Sequence, residues 1–136
     1  MRVLVDTCVW SLAFRRGGPE RHPAVEKLAA LLGGDAEVVL TGTILQEVLQ
    51  AFCDPQAARR VARQLEDLPL LPLRREVFVS AAALYRECAA HGVSASTTDC
   101  QIAAAAVAYR CQLLTTDHDF ERIAGLCALR LVPGLT

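Results

Sequence analysis

The sequence predicts an α/β domain, a three-layer α/β/α arrangement built on a parallel sheet of four to five strands. Three observations lead there. Short aliphatic runs of strand length alternate with longer segments whose apolar residues recur at helical spacing. Those runs are apolar throughout rather than alternating with polar residues, which is the mark of strands covered on both faces. The chain has 136 residues, of which 53% are hydrophobic and 21% charged, enough for one well-filled core and too apolar for a disordered tail.

The elements follow in order. Arg2 to Val5 is a first strand that ends at Asp6. Asp6 or Thr7 caps a short helix carrying Trp10, Leu12 and Phe14, which Arg15-Arg16-Gly17-Gly18-Pro19 breaks. Val25, Leu28, Leu31 and Leu32 mark a helix from Pro23 that Gly33-Gly34 closes. Glu37 to Leu40 is the second strand, and Thr43 with Gln46 three residues on has the pattern of a capping box opening the next helix. Asp54-Pro55 places an N-cap and a first-turn proline at the start of another. Leu68 to Leu71 is a weaker third strand, and Arg75 to His91 a long helix stopped by Gly92. Ser96 or Thr97 caps a helix reaching about Tyr109. Gln112 to Thr115 is a fourth strand, Phe120 to Ile123 a helical turn, and Leu129 to Val132 a last strand. No repeat or linker interrupts the series, so a single domain over 1–136 is expected.

Composition narrows the partners. Net charge is −1, so any nucleic-acid contact must come from local patches rather than a global positive field. The clusters Arg15-Arg16, Arg59-Arg60-Arg63 and Arg74-Arg75 could steer phosphates, although solvated helix ends carry such charges too. None of the six cysteines is in C-x-x-C spacing, and they read as small buried hydrophobes in a reducing compartment. The longest apolar stretch, Ile102 to Ala108, is too short to span a bilayer, and no signal-peptide pattern is visible. A cytoplasmic protein with no membrane association is expected.

The chemistry lies in the acids. Ligands of open parallel sheets bind outside the carboxyl ends of the strands, near a change in strand order. The first strand ends in Asp6 and the fourth in Asp117, and helices that begin on the same edge carry Glu47 and Asp99 in their first turns. Carboxylates so gathered repel one another unless a cation or proton relieves them. Oxygen donors without histidine or thiolate suit Mg²⁺ or Mn²⁺, and such an ion supports phosphodiester hydrolysis. Each acid also has a structural reading: Asp6 as a cap, Asp99 as a partner of the helix dipole, Glu47 as an exposed helix residue, and Asp117 or Asp119 as the cap of the turn at Phe120. For Asp119 the capping role is preferred. Trp10 and Phe14, at helical spacing, suit a core or a partner groove better than base stacking.

In sequence, Val3-Leu4-Val5-Asp6-Thr7-Cys8-Val9-Trp10, Glu47, Thr98-Asp99-Cys100-Gln101-Ile102 and Leu113-Leu114-Thr115-Thr116-Asp117-His118-Asp119-Phe120 resemble the motifs of PIN-domain nucleases. The likeness is particularly to VapC-type toxins of bacterial toxin–antitoxin modules. The resemblance implies a PIN-like fold, Mg²⁺- or Mn²⁺-dependent endoribonuclease activity on RNA, homodimerisation, and inhibition by a small DNA-binding antitoxin. It assigns Asp6, Glu47, Asp99 and Asp117 to a catalytic metal site supported by Thr7 and Thr115, with Asp119 as an accessory. Cys8 departs from the usual serine, which puts one hydrogen bond near the metal at issue, and Thr116 replaces an often basic residue. Arg15, Arg16 and Trp10 are the expected contacts to RNA or antitoxin. A haloacid-dehalogenase-like phosphatase would need an aspartate where Cys8 stands, and a receiver domain a late lysine, whereas Lys27 is the only lysine. A housekeeping RNA-processing nuclease and a catalytically inactive binding scaffold are the alternatives that keep the same fold.

Overall fold

A computed structural model of the chain describes residues 1–15, 18 and 21–133. Five strands alternate with seven helices among these residues. The first part of the chain runs β1 (Arg2–Val5), α1 (Thr7–Ala13), α2 (Pro23–Leu32), β2 (Glu37–Thr41), α3 (Gly42–Gln50), α4 (Pro55–Leu65) and β3 (Leu70–Leu71). It continues through α5 (Arg75–Ala90), α6 (Thr97–Ala108), β4 (Gln112–Leu114), α7 (Asp119–Ala124) and β5 (Arg130–Leu131). The strands form one parallel sheet in the order β3-β2-β1-β4-β5.

That order explains the layers. The chain steps from β1 to β2 to β3 in one direction, then crosses back to β4 and β5 on the other side of β1. Right-handed crossovers in opposite directions put their helices on opposite faces. The main helix contacts divide accordingly, with α1 against α2 and α3, and α3 against α4, in one group, and α6 against α5 and α7 in the other. Buried from both sides, β1 has Val3, Leu4 and Val5 at 0% exposure. Helix α6 has a buried run, Ile102-Ala103-Ala104-Ala105-Ala106, whose small side chains let it approach both α5 and the sheet.

Local signals fix most boundaries. Asp54 accepts from the Gln56 amide with Pro55 behind it, so α4 begins where the sequence places it. Ser96 caps α6. Gly92, at φ +68°, closes α5 with the Gly92 amide on the Ala89 carbonyl and the Val93 amide on the Cys88 carbonyl, a turn that needs a left-handed residue. Helix α6 ends in the same bond pattern, but on Arg110 at φ 55°.

Two expectations are corrected. Helix α3 starts at Gly42, capped by Thr41 rather than by Thr43, because the Thr41 hydroxyl accepts from the Ile44 amide at 3.2 Å while that of Thr43 donates to Gln101. Gln46 therefore takes no part in a capping box and donates to Gln50 instead. The third strand is reduced to Leu70–Leu71, since Pro69 has no amide proton to offer a ladder. All six cysteines are free thiols. Cys88, Cys100 and Cys111 are buried as expected, Cys8 and Cys127 are half-buried, and Cys53 is exposed.

Candidate active site

Among the described residues only three polar or charged ones are buried: Asp6, Thr41 and Thr115. They stand at the C-terminal ends of β1, β2 and β4, the three central strands. A core that is otherwise apolar is polar along one edge, and that edge includes the point where strand order reverses between β1 and β4.

Asp6 is the centre of a hydrogen-bond network. Its Oδ1 accepts from the Thr7 amide at 2.8 Å, so it also caps α1. Its Oδ2 accepts from the Thr115 hydroxyl at 2.8 Å and the Cys8 thiol at 3.4 Å. The Thr7 hydroxyl donates to Glu47 Oε1 at 2.9 Å, which ties α3 to the start of α1. On the other side the Asp117 amide donates to Thr115 Oγ1 at 3.0 Å, and Asp117 Oδ1 accepts from the Asp119 amide at 2.9 Å. Glu47, Thr7, Asp6, Thr115 and Asp117 thus form one connected series from α3 across the ends of β1 and β4. Asp99 joins it through its charge, which acts on Asp6, while its own Oδ2 accepts from the Ser96 amide in a capping box. Beside it, the Thr43 hydroxyl donates to Gln101 at 3.2 Å and links α3 to α6 across the sheet edge.

Burial pushes the Asp6 carboxyl above its ordinary pKa, hydrogen bonds from Thr115, Cys8 and Thr7 pull it back, and the Asp99 charge adds to the rise. Burial likewise raises the Cys8 thiol, with the Asp6 charge adding to it, so Cys8 stays protonated and able to donate. None of the ion pairs among the described residues involves Asp6, Glu47, Asp99 or Asp117. The acids are held by neutral donors, and no ion pair among the described residues brings a cation to them.

In donor chemistry this set fits a hard divalent ion: carboxylate oxygens, hydroxyl support and no imidazole in the network. The fit is one of chemistry rather than of finished geometry. Among the described residues no three His, Cys, Asp or Glu side chains are gathered closely enough to hold a metal ion.

Other expected residues fall elsewhere. Asp117, not Asp119, caps the turn into α7, and the Asp119 carboxylate lies 3.8 Å from Arg122. Arg15 is exposed at the end of α1, and Arg16 lies outside the described residues. Trp10 is only 2% exposed and stacks on Phe14 at a centroid distance of 5.9 Å, so it is a wall rather than a platform for a base. The two rings line an apolar groove of about 330 Å³ with Val25, Leu28, Leu32 and Leu68. The donor role of Cys8, the Thr43–Gln101 bridge and the buried Thr41 were not evident in the sequence. Only Thr41, a threonine at a strand end, had a signal that could have found it.

The model of the PIN domain matches residues 3–126. The chain belongs to the PIN-domain family. Solved structures repeat its fold at low identity. The PIN domain here resembles a chain of VapBC2 from Rickettsia felis, in a structure bound to a DNA fragment from the promoter, with a TM-score of 0.78 at 18% identity over 97% of this chain and 98% of that one. VapBC-1 from nontypeable Haemophilus influenzae gives 0.72 at 17% identity over 97% of each chain. VapC20 from Mycobacterium tuberculosis, a toxin that cleaves the sarcin–ricin loop, gives 0.70 at 20% identity over 94% of this chain and 98% of that one.

Proposed function

We propose that this PIN domain is a divalent-metal-dependent endoribonuclease acting as the toxin of a toxin–antitoxin pair. The observation that carries the reading is the network of acids at the strand ends, with Asp6 buried at its centre and held by hydroxyl, thiol and amide donors. The names of the structural neighbours, toxin–antitoxin proteins and an RNA-cleaving toxin among them, support it.

In this reading Asp6 and Asp99 are the principal metal ligands, and Glu47 and Asp117 hold a second ion or orient water. Mg²⁺ or Mn²⁺, when bound, supplies charge stabilisation at the phosphoryl oxygens and a nucleophile at neutral pH. Thr115 and Cys8 fix one oxygen of Asp6, and Thr7 fixes Glu47, so these carboxylates are held in place by neutral donors. Asp6 Oδ1 and Glu47 Oε1 each accept a single bond and retain a second lone pair for a ligand. Among the described residues no three such side chains are gathered as they stand, so a bound ion would draw the carboxylates together.

Two partner surfaces go with this reading. The apolar groove beside Trp10 and Phe14, with Gln64 and Leu65 of α4 on its rim, suits an apolar segment of the antitoxin. The outward face of α5, where Phe78 is 45%, Val79 63% and Tyr85 48% exposed, suits a second copy of the chain in a homodimer. No helix among the described residues is long and apolar enough to cross a membrane.

The test is cleavage of total cellular RNA by the purified, antitoxin-free protein with Mg²⁺, Mn²⁺ or chelator, beside Asp6→Asn and Asp99→Asn. Discrete metal-dependent fragments that both variants fail to produce are expected. Folded, metal-loaded protein that leaves RNA intact would transfer the reading to the scaffold.

A further inference from the structure

Two consecutive backbone amides reach the same carboxylate oxygen through two different side chains. The Asp117 amide donates to Thr115 Oγ1 at 3.0 Å, and the Thr115 hydroxyl donates to Asp6 Oδ2 at 2.8 Å. One residue earlier, the Thr116 amide points to Cys8 Sγ at 3.5 Å, and the Cys8 thiol donates to Asp6 Oδ2 at 3.4 Å. The relays run side by side, with the thiol 3.6 Å from the Thr115 hydroxyl. Each has the same polarity, amide to side chain to carboxylate, so each bond polarises the next in the same direction.

We propose that Cys8 is a positioning residue, a thiol relay that locks the loop 115–117 after β4 onto Asp6 and so sets where Asp117 stands relative to Asp6. The inference rests on the reading of these acids as a metal centre, which it deepens. A thiol that merely filled space would have no reason to sit between an amide hydrogen and a carboxylate oxygen, each in line for one of its two hydrogen-bonding roles. Sulfur takes longer bonds than oxygen, which suits the wider gap on this side of Asp6. Asp117 depends on both relays, directly through its own amide and indirectly through its neighbour's. Removing a partner that orients a ligand costs about 10- to 100-fold in metal affinity.

The test uses the full-length chain in two measurements. The first is amide hydrogen exchange in metal-free protein for the wild type, Cys8→Ala, Cys8→Val, Cys8→Ser and Thr115→Val. The Thr116 amide should exchange about tenfold faster in the alanine and valine variants, as loss of one hydrogen bond produces, and return towards wild type with serine. In Thr115→Val the Asp117 amide should respond instead. The second is Mn²⁺ affinity by calorimetry, expected to fall about tenfold in Cys8→Ala and Cys8→Val and to recover in Cys8→Ser. Should alanine prevent folding, valine fills the volume without donating and decides alone. Unchanged Thr116 exchange in the valine variant, or failure of serine to restore it, overturns the relay. If wild type binds no Mn²⁺ at all, the metal-centre reading fails, and Thr116 exchange still decides whether the relay exists.

Discussion

Asp6 is pulled by two opposing effects. Its burial disfavours the charged form, while one amide, one hydroxyl and one thiol favour it, and the balance leaves its pKa above 3.8. The raised value has a definite consequence for stability. Folded metal-free protein holds the Asp6 proton more tightly than the unfolded chain does. The stabilisation is therefore complete below 3.8 and is lost as pH rises through the raised pKa. Denaturant titrations of metal-free wild type and Asp6→Asn should show the wild type losing ground to the variant as pH increases from about 4 towards neutral. A constant difference across that range would contradict the burial argument. Mn²⁺ at about 100 times its Kd should then stabilise the wild type at neutral pH by about 2.7 kcal/mol. At this scale the sequence revealed more of the acids than of their supports. Asp6 and Asp117 could be read because they end strand patterns. The Cys8 relay could not, since its partners Thr115 and Thr116 are brought to it by the pairing of β1 with β4.

The elements were legible where a local residue decides them and not where two local solutions competed. The segment Thr41-Gly42-Thr43 offers two hydroxyls two residues apart, and only the trajectory of β2 selects the first as the cap. Thr41→Ala should cost about 1 kcal/mol in chemical denaturation. Thr43→Ala should cost clearly less, because its hydroxyl joins Gln101 and caps nothing. Equal losses would return the cap to Thr43. Arg110 shows the reverse case, a left-handed position at φ 55° that the sequence did not advertise because the residue is not glycine. Arg110→Gly should relieve that conformation and stabilise the protein by about 1 kcal/mol, measured the same way. In α6 the capping box of Ser96 with Asp99 is visible in the spacing, yet it fixes only one oxygen of Asp99. A cap and a ligand are compatible roles for one carboxylate.

Across the whole molecule, function follows from strand order. Because β1 is flanked by β2 and β4, strand order reverses beside it, and the crevice above its carboxyl end is open to α3 and α6 alike. Parallel strands and two helical layers could be foreseen from uninterrupted apolar runs, but the order of strands could not, since periodicity describes each element and says nothing of its neighbour. The outward face of α5 belongs to this scale as well. A chain that pairs through Phe78 and Tyr85 should sediment as a dimer, and the double substitution Phe78→Glu and Tyr85→Glu should convert it to a folded monomer. A wild type that is monomeric at high micromolar concentration would remove α5 as the interface. The central claim is that acids on four separate elements make one divalent-metal centre. Titration of the metal-free protein with Mn²⁺, followed by electron paramagnetic resonance, tests it most directly. Saturable binding by the wild type, with affinity lowered at least about tenfold in both Asp6→Asn and Asp99→Asn, is the predicted result. Binding of equal strength in wild type and both variants would contradict it.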